Sequence, residues 1–209
     1  MRPLPRLHAV TDSVVLELED FPVRAAAIAA AGPAVTIQVR DHGATAQRLT
    51  LVTQRVAALA RPPEASVFVN GRADIAAALQ LQGLQLTRQD LSPAEARAAF
   101  PEWQGWIGVS VHSAGEADAA LAEGADYLMV GNVYETPTHP GRAGNGLALV
   151  RELAGRGAPV IAIGGIDPGR AAAVRDAGAY GVAAISALWH VGDPAQAALD
   201  LLAPWSEAA

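Results

Sequence analysis

The chain has 209 residues, of which 51% are hydrophobic and 17% charged, which is enough for one domain with a full core. Its formal net charge of −6 and the lack of a basic stripe argue against nucleic acid as the main partner. There is no cysteine, and all 15 cations counted as Lys and Arg are arginines, so disulfides, thiolate chemistry and lysine Schiff bases are excluded.

Strand-like and helix-like segments alternate along the whole chain. The strand candidates are short, rich in β-branched residues and often apolar at consecutive positions, as in strands that are covered on both faces. They span residues 7–11, 35–40, 66–70, 83–86, 106–111, 127–131, 159–164 and 181–186. The helix candidates between them span residues 23–31, 44–60, 74–81, 93–100, 114–123, 147–155, 168–177 and 194–202. Ser92 with Glu95, and Ser113 with Glu116, are typical of capping boxes at helix starts.

Eight strands and eight helices in strict alternation predict an α/β fold, a single-domain (β/α)8 TIM barrel over residues 1–209. The alternative is an open, doubly wound parallel sheet, which favours a glycine-rich turn after the first strand. The first turn here is Thr11-Asp12-Ser13, without glycine. The pattern therefore favours the closed barrel.

No apolar run reaches the ~18 residues that a membrane span needs, and the amino-terminal segment lacks an apolar signal region. We therefore expect a cytoplasmic protein that has no membrane partner. Tryptophans at positions 103, 106, 189 and 205 are compatible either with core packing or with the interface of a homo-oligomer.

The predicted strand ends place polar residues around one mouth of the barrel, where active sites of this fold lie. Gly164 and Gly165 end the seventh strand, and Ile185 and Ser186 end the eighth. Bare backbone N–H groups beside a second small-residue tip form a nest for a phosphate, so these four residues are the predicted phosphate site. The alternative is a tight turn that needs glycine only for its backbone angles.

Seven short segments that carry many of these residues occur in order: 7–12 (LHAVTD), 37–40 (IQVR), 69–76 (VNGRADIA), 107–113 (IGVSVHS), 124–127 (GADY), 136–138 (TPT) and 163–166 (IGGI). This ordered set resembles the thiamine phosphate synthase superfamily and spans nearly the whole chain. The resemblance implies a (β/α)8 barrel that acts on a small phosphorylated thiazole.

That superfamily has two branches. One is a synthase that couples a pyrimidine diphosphate to a thiazole phosphate using Mg²⁺, and the other is the TenI-type thiazole tautomerase, which aromatises a carboxythiazole phosphate. The synthase branch normally carries lysine two positions after Arg40, aspartate after Asn70 and lysine after the Thr-x-Thr loop. This chain has His42, Gly71 and His139 at those positions. We therefore expect the tautomerase, an isomerase that needs no cofactor.

The resemblance also implies roles for the residues at the mouth. His112 would be the acid/base group of the tautomerase, and the alternative for it is a helix cap or a solvent-facing side chain. Arg40 would bind a carboxylate or a diphosphate; the alternative is a salt bridge within the ring, for example to Asp12. Asp90 would hold Mg²⁺ only in a synthase. The candidate substrate contacts are Gln38, Arg40, Asn70, Ser110, Thr136 and Thr138.

Two other functions remain open at this point. One is the Mg²⁺-dependent transferase that makes thiamine phosphate. The other is a non-catalytic barrel that binds thiazole phosphate or thiamine phosphate as a regulator.

Overall fold

The computed structural model describes residues 3–136, 144 and 146–206. Eight parallel strands form a closed barrel in sequence order, and the last strand pairs with the first, where Leu7 lies opposite Val182. This closing pair confirms the predicted barrel and excludes the open sheet. The strands are β1 (Leu7–Val10), β2 (Val35–Val39), β3 (Ser66–Asn70), β4 (Gly83–Leu86), β5 (Trp106–Val111), β6 (Tyr127–Val130), β7 (Val160–Ile163) and β8 (Gly181–Ala184).

Ten helices lie within the described residues, and eight of them correspond to predicted helices. They are α1 (Ser13–Leu16), α2 (Phe21–Ala29), α3 (Ala46–Ala60), α4 (Ala73–Ala78), α5 (Pro93–Ala99), α6 (Ala114–Ala122), α7 (Gly146–Ala154), α8 (Pro168–Asp176), α9 (Ser186–Trp189) and α10 (Pro194–Ser206). The sequence analysis missed α1 and α9, because four residues make about one turn and show no helical period. The predicted eighth strand accordingly ends early, at Ala184, and the chain turns into α9.

The core has two parts, because successive side chains of a strand point to opposite faces of the sheet. The larger part fills the space between the strands and the surrounding helices and includes Ile37, Val111 and Leu128. The smaller part lies inside the barrel and includes Phe68 and Tyr127. Strands that are packed on both faces hold their carboxyl ends firmly around one mouth. No helix in the described part of the chain is long and apolar enough to cross a bilayer.

Candidate active site

The carboxyl ends of the strands surround a cavity of about 750 Å³, a size typical of small-molecule sites. Thr138 lies outside the described residues. The other residues of the predicted substrate and phosphate sites all line this cavity: Gln38, Arg40, Asn70, Ser110, His112, Thr136, Gly164, Gly165, Ile185 and Ser186. Three charged residues that also line it, Glu135, Asp167 and Arg170, were not singled out by the sequence analysis.

Gly164 and Gly165 form the cavity wall after β7, in left-handed backbone conformations with φ of +104° and +63°. A Cβ on Gly165 would lie 2.5 Å from the carbonyl oxygen of Glu135, and one on Gly164 would collide with the side chain of Asn132. Both positions therefore need glycine for conformation and for space. The loop after β6 is bonded to this turn, since the Tyr134 N–H donates to the Gly164 carbonyl at 2.9 Å. The result is a rigid turn of bare backbone, as an anion nest requires.

Helix α9 adds the second part of the predicted phosphate site. The Trp189 N–H donates to the Ile185 carbonyl at 3.0 Å, whereas the first N–H groups of the turn, at Ser186 and Ala187, have no acceptor within the helix. Trp189 is buried, and its Nε1 donates to the carbonyl of Val10 at 2.8 Å. This bond ties α9 to β1 and fixes the position of Ser186 at the cavity wall.

Arg40 is partly buried where β2 ends. The Thr11 hydroxyl holds its backbone, accepting from the Arg40 N–H at 2.9 Å and donating to its carbonyl at 3.1 Å. Burial lowers the pKa of Arg40, and the charges of Asp12 and Asp41 oppose that effect, so the guanidinium stays charged. Among the described residues no carboxylate lies within 4.0 Å of it, and Asp12 caps α1 instead of pairing with it. A partly buried cation of this kind favours an anionic ligand.

A second arginine, Arg170 of α8, lies against the glycine turn. Its Nη1 donates to the Gly165 carbonyl at 2.6 Å, and its Cζ lies 4.8 Å from the centre of the Tyr134 ring. Asp167, which caps α8, is 3.8 Å from its Nε and partly balances its charge. The signal that could have revealed Arg170 is its position in the first turn of the helix that follows the glycine pair.

His112 follows β5 and its exposed ring lines the cavity. Its Nδ1 lies 2.6 Å from the carbonyl oxygen of Gly131. Because a carbonyl only accepts, Nδ1 carries a proton, and Nε2 is the nitrogen that remains for a ligand. The imidazole does not cap α6, since the Ser113 hydroxyl accepts from the Glu116 N–H and Glu116 accepts from the backbone N–H of His112.

Asp90 lies beside Gly71, at the ends of β3 and β4. Its Oδ2 accepts from both the N–H and the hydroxyl of Thr87 at 2.8 Å, and a Cβ on Gly71 would lie 2.9 Å from Oδ1. Within the described ranges no three His, Asp or Glu side chains are grouped as metal ligands. Mg²⁺ is often held by one or two carboxylates together with substrate phosphates. Asp90 does not line the cavity itself, but Thr87, to which it is bonded, does. Its Oδ1 therefore fits a Mg²⁺ ion whose other ligands come from a phosphorylated ligand and water.

His42 stands at the rim of the cavity and is exposed. Burial and the nearby charge of Arg40 lower its pKa, while Asp90 and Asp41 oppose the lowering. The lowered pKa disfavours the protonated form of His42, so this residue does not supply the permanent charge of a lysine. The permanent positive charges among the described residues that line this cavity belong to Arg40 and Arg170.

A sequence model of the family described as thiamine monophosphate synthase matches residues 7–188. The chain belongs to this family. The thiamine-phosphate synthase of Thermus thermophilus is 42% identical over 172 residues, which cover 81% of this chain and 82% of that protein. The thiamine-phosphate synthase of Mycolicibacterium gilvum is 40% identical over 196 residues, or 88% of this chain and 80% of that protein. The solved structure of a thiamine phosphate pyrophosphorylase from Pyrococcus furiosus is 32% identical, with a TM-score of 0.82 over 97% of this chain and 96% of that one.

These findings confirm the resemblance to the thiamine monophosphate synthase family, but the prediction of a TenI-type tautomerase, an isomerase, is wrong. Relatives about 40% identical over most of the chain are thiamine-phosphate synthases, which are transferases. The prediction was wrong because it took His42, Gly71 and His139, which replace two lysines and an aspartate of the synthase branch, to mean that the cavity cannot hold a diphosphate. In the structure, Arg40 and Arg170 place permanent charge at the cavity, and Asp90 keeps a carboxylate beside Gly71.

Proposed function

We propose that the protein is a thiamine-phosphate synthase, a transferase that joins hydroxymethylpyrimidine diphosphate to a thiazole phosphate. The observation that supports this proposal is that one cavity contains two features suited to binding anions. Arg40 is a charged side chain without a salt bridge among the described residues, and it lies at the end of β2. The other feature is formed by the glycine turn, which follows β7, and by α9, which follows β8. A coupling of two phosphorylated substrates needs both features at once.

The proposed reaction breaks the C–O bond between the pyrimidine methylene carbon and the diphosphate. The diphosphate leaves with the electron pair, and the thiazole nitrogen forms the new C–N bond. Gly164, Gly165 and Ser186 would hold the thiazole phosphate, so that the thiazole nitrogen is directed at the methylene carbon. Arg40 would stabilise the negative charge that accumulates on the leaving diphosphate. His112 would offer Nε2 to a bound substrate, since its Nδ1 is engaged by the Gly131 carbonyl.

Mg²⁺, when bound with the diphosphate, neutralises part of the charge on that leaving group. Asp90 would hold the ion through Oδ1, while Thr87 orients the carboxylate through its two bonds to Oδ2. A single protein carboxylate predicts a site that is weak before the diphosphate arrives. Asp90→Asn should therefore raise the Mg²⁺ concentration that gives half-maximal activity.

The purified protein, given both substrates and Mg²⁺, should produce thiamine phosphate and diphosphate in equal amounts. Arg40→Met should lower kcat/KM for the pyrimidine substrate by ~10- to 100-fold, because a charge-assisted hydrogen bond contributes roughly 1.5–3 kcal/mol. The matched control is Arg55→Met on the exposed face of α3, which should leave kcat/KM unchanged. Binding of both substrates without any product would contradict the proposal.

A further inference from the structure

A chain of side-chain hydrogen bonds runs from inside the barrel to the cavity across β1, β2 and β3. His8 is 0% exposed, and its Nδ1 lies 3.0 Å from Oε1 of Gln38. Gln38 is also buried, and its Nε2 donates to Oδ1 of Asn70 at 2.8 Å. Asn70 lines the cavity. A buried imidazole is thus linked to a cavity-facing amide through one glutamine.

A second chain has the same design and crosses β6, β4 and β5. The buried hydroxyl of Tyr127 donates to Oε1 of Gln85 at 2.7 Å. The Gln85 Nε2 donates to the hydroxyl oxygen of Ser110 at 3.0 Å, and Ser110 lines the cavity. In both chains a buried ring is joined to a glutamine, and the glutamine to a polar side chain at the cavity.

The two chains meet at their buried ends. The ring centroids of His8 and Tyr127 are 5.5 Å apart, and Phe68 packs edge-on against His8 at 5.3 Å. A Cβ at Gly108 would collide with the Tyr127 ring, and a Cβ at Gly83 would collide with Phe68. Glycine at these two strand positions makes room for the rings, and the hydrogen bonds of His8 to Gln38 and of Tyr127 to Gln85 hold the two ring ends. The buried ends of both chains are therefore fixed before any ligand binds.

The direction of the Tyr127 chain follows from its neighbours. The Gln85 Nε2 also approaches the Leu86 carbonyl at 3.3 Å, and because a carbonyl only accepts, that end of the amide must be the NH₂ group. The phenol proton then goes to Oε1 of Gln85, where burial would otherwise leave it without an acceptor. Since the Ser110 oxygen accepts from Gln85, the Ser110 O–H is the group that remains to donate into the cavity.

The direction of the other chain depends on the tautomer of His8. A proton on Nδ1 donates to the Gln38 Oε1, and the Asn70 NH₂ is then directed to the cavity as a donor. A proton on Nε2 would reverse the chain and present the Asn70 oxygen, an acceptor. Within the described part of the chain, the buried Nε2 of His8 has no hydrogen-bond partner by distance and angle. The Pro5 carbonyl is near enough to oppose the lowering of the His8 pKa, but it forms no hydrogen bond with Nε2. The geometry therefore favours the proton on Nδ1.

We propose that His8 is a positioning residue whose Nδ1–H sets the direction of the His8–Gln38–Asn70 chain, so that Asn70, like Ser110, donates a hydrogen bond into the cavity. Two neutral donors match the acceptor atoms of the pyrimidine diphosphate, its ring nitrogens and its phosphate oxygens. The choice of this substrate rests on the proposed function. The donor direction itself rests on the hydrogen bonds alone.

Two substitutions of His8 separate this role from simple packing. His8→Leu fills most of the space but removes the donor, whereas His8→Asn leaves a gap but keeps an N–H close to the position of Nδ1. We expect His8→Leu to raise KM for hydroxymethylpyrimidine diphosphate by ~10-fold, the loss expected for one hydrogen bond, with KM for the thiazole phosphate unchanged. His8→Asn should restore KM to within ~3-fold of the original value. The opposite order of the two variants, or equal KM values, would overturn the proposal.

The matched control is Thr36→Val. Thr36 lies opposite His8 on β2, and its buried hydroxyl has no partner among the described residues, so its loss should leave both KM values unchanged. A second measurement does not depend on turnover. The ¹⁵N NMR spectrum of histidine-labelled protein, with His8 assigned by its absence in His8→Asn, should show a neutral ring protonated at Nδ1. A proton at Nε2 would overturn the proposal even if the protein makes thiamine phosphate, and a proton at Nδ1 would support it even if the protein does not.

Discussion

At the scale of single residues, two glycines share a left-handed backbone but differ in their surroundings. Gly165 has φ of +63°, and a Cβ there would lie 2.5 Å from the Glu135 carbonyl oxygen and 2.8 Å from the Cβ of Tyr134. Gly157 has φ of +83°, and a Cβ there would have nothing within 4 Å. Alanine at either position would lower the free energy of unfolding by ~1–2 kcal/mol, because an L-residue is strained in the left-handed conformation. Only at position 165 must the loop after β6 also move.

Gly165→Ala should therefore raise KM for the thiazole phosphate by more than ~10-fold, because the moved loop carries the cavity-lining residues Glu135 and Thr136. Gly157→Ala should lower the free energy of unfolding by a similar conformational amount and leave KM unchanged. Steady-state kinetics and urea denaturation of the two variants test this. If both variants kept the original KM, the glycine turn would not be part of the phosphate site.

At the scale of secondary-structure elements, α9 depends on one tryptophan. Trp189 stacks on Phe21 at 5.4 Å, and its Nε1 bond to the Val10 carbonyl anchors the turn that carries Ser186. Trp189→Phe should lower the free energy of unfolding by ~1–3 kcal/mol, because the Val10 carbonyl loses its donor. It should also raise KM for the thiazole phosphate several-fold.

The control for that change is Trp205→Phe on α10. Trp205 donates through Nε1 to the carbonyl of Ala179, which precedes β8 and so lies at the other end of the barrel. This variant should lose stability without a change in KM. An equal rise of KM in both variants would mean that the effect is general loosening of the barrel and not displacement of α9.

The same elements show how far the sequence could predict the molecule. The eight strands and their closure were predictable, because strands covered on both faces and separated by helices leave a clear alternation. The candidate substrate and phosphate residues at the strand ends were also predicted to surround one mouth, and those of them that are described line one cavity, whereas Asp90 is not part of its lining. Helix α9 and the contact of Arg170 with Gly165 were not predictable, because they depend on tertiary neighbours and not on a period. The branch of the family was predicted wrongly, because residue types at three positions do not reveal where the remaining arginines point.

At the scale of the whole molecule, the inside of the barrel is closed to water and holds the imidazole of His8. Burial lowers the pKa of His8 to about 4, and the Gln38 hydrogen bond and the Pro5 carbonyl oppose this only in part. The ordinary value, 6.5, applies to the unfolded chain. Between these two values the unfolded state takes up a proton that the folded state does not. The stabilisation by neutral His8 is thus complete above pH 6.5 and is lost as the pH falls toward 4.

The size of this loss follows from the gap between the two pKa values, which corresponds to about 3 kcal/mol. The free energy of unfolding should fall between pH 7 and pH 4 by about that much more in the original protein than in His8→Asn, whose residue 8 does not titrate. All other residues are the same in both proteins, so the difference between the two curves isolates His8. Urea denaturation at pH 7 and pH 4 measures it. Parallel curves would show that the His8 ring is not held neutral inside the barrel, because a ring that accepts a proton equally well in both states adds no pH dependence to folding.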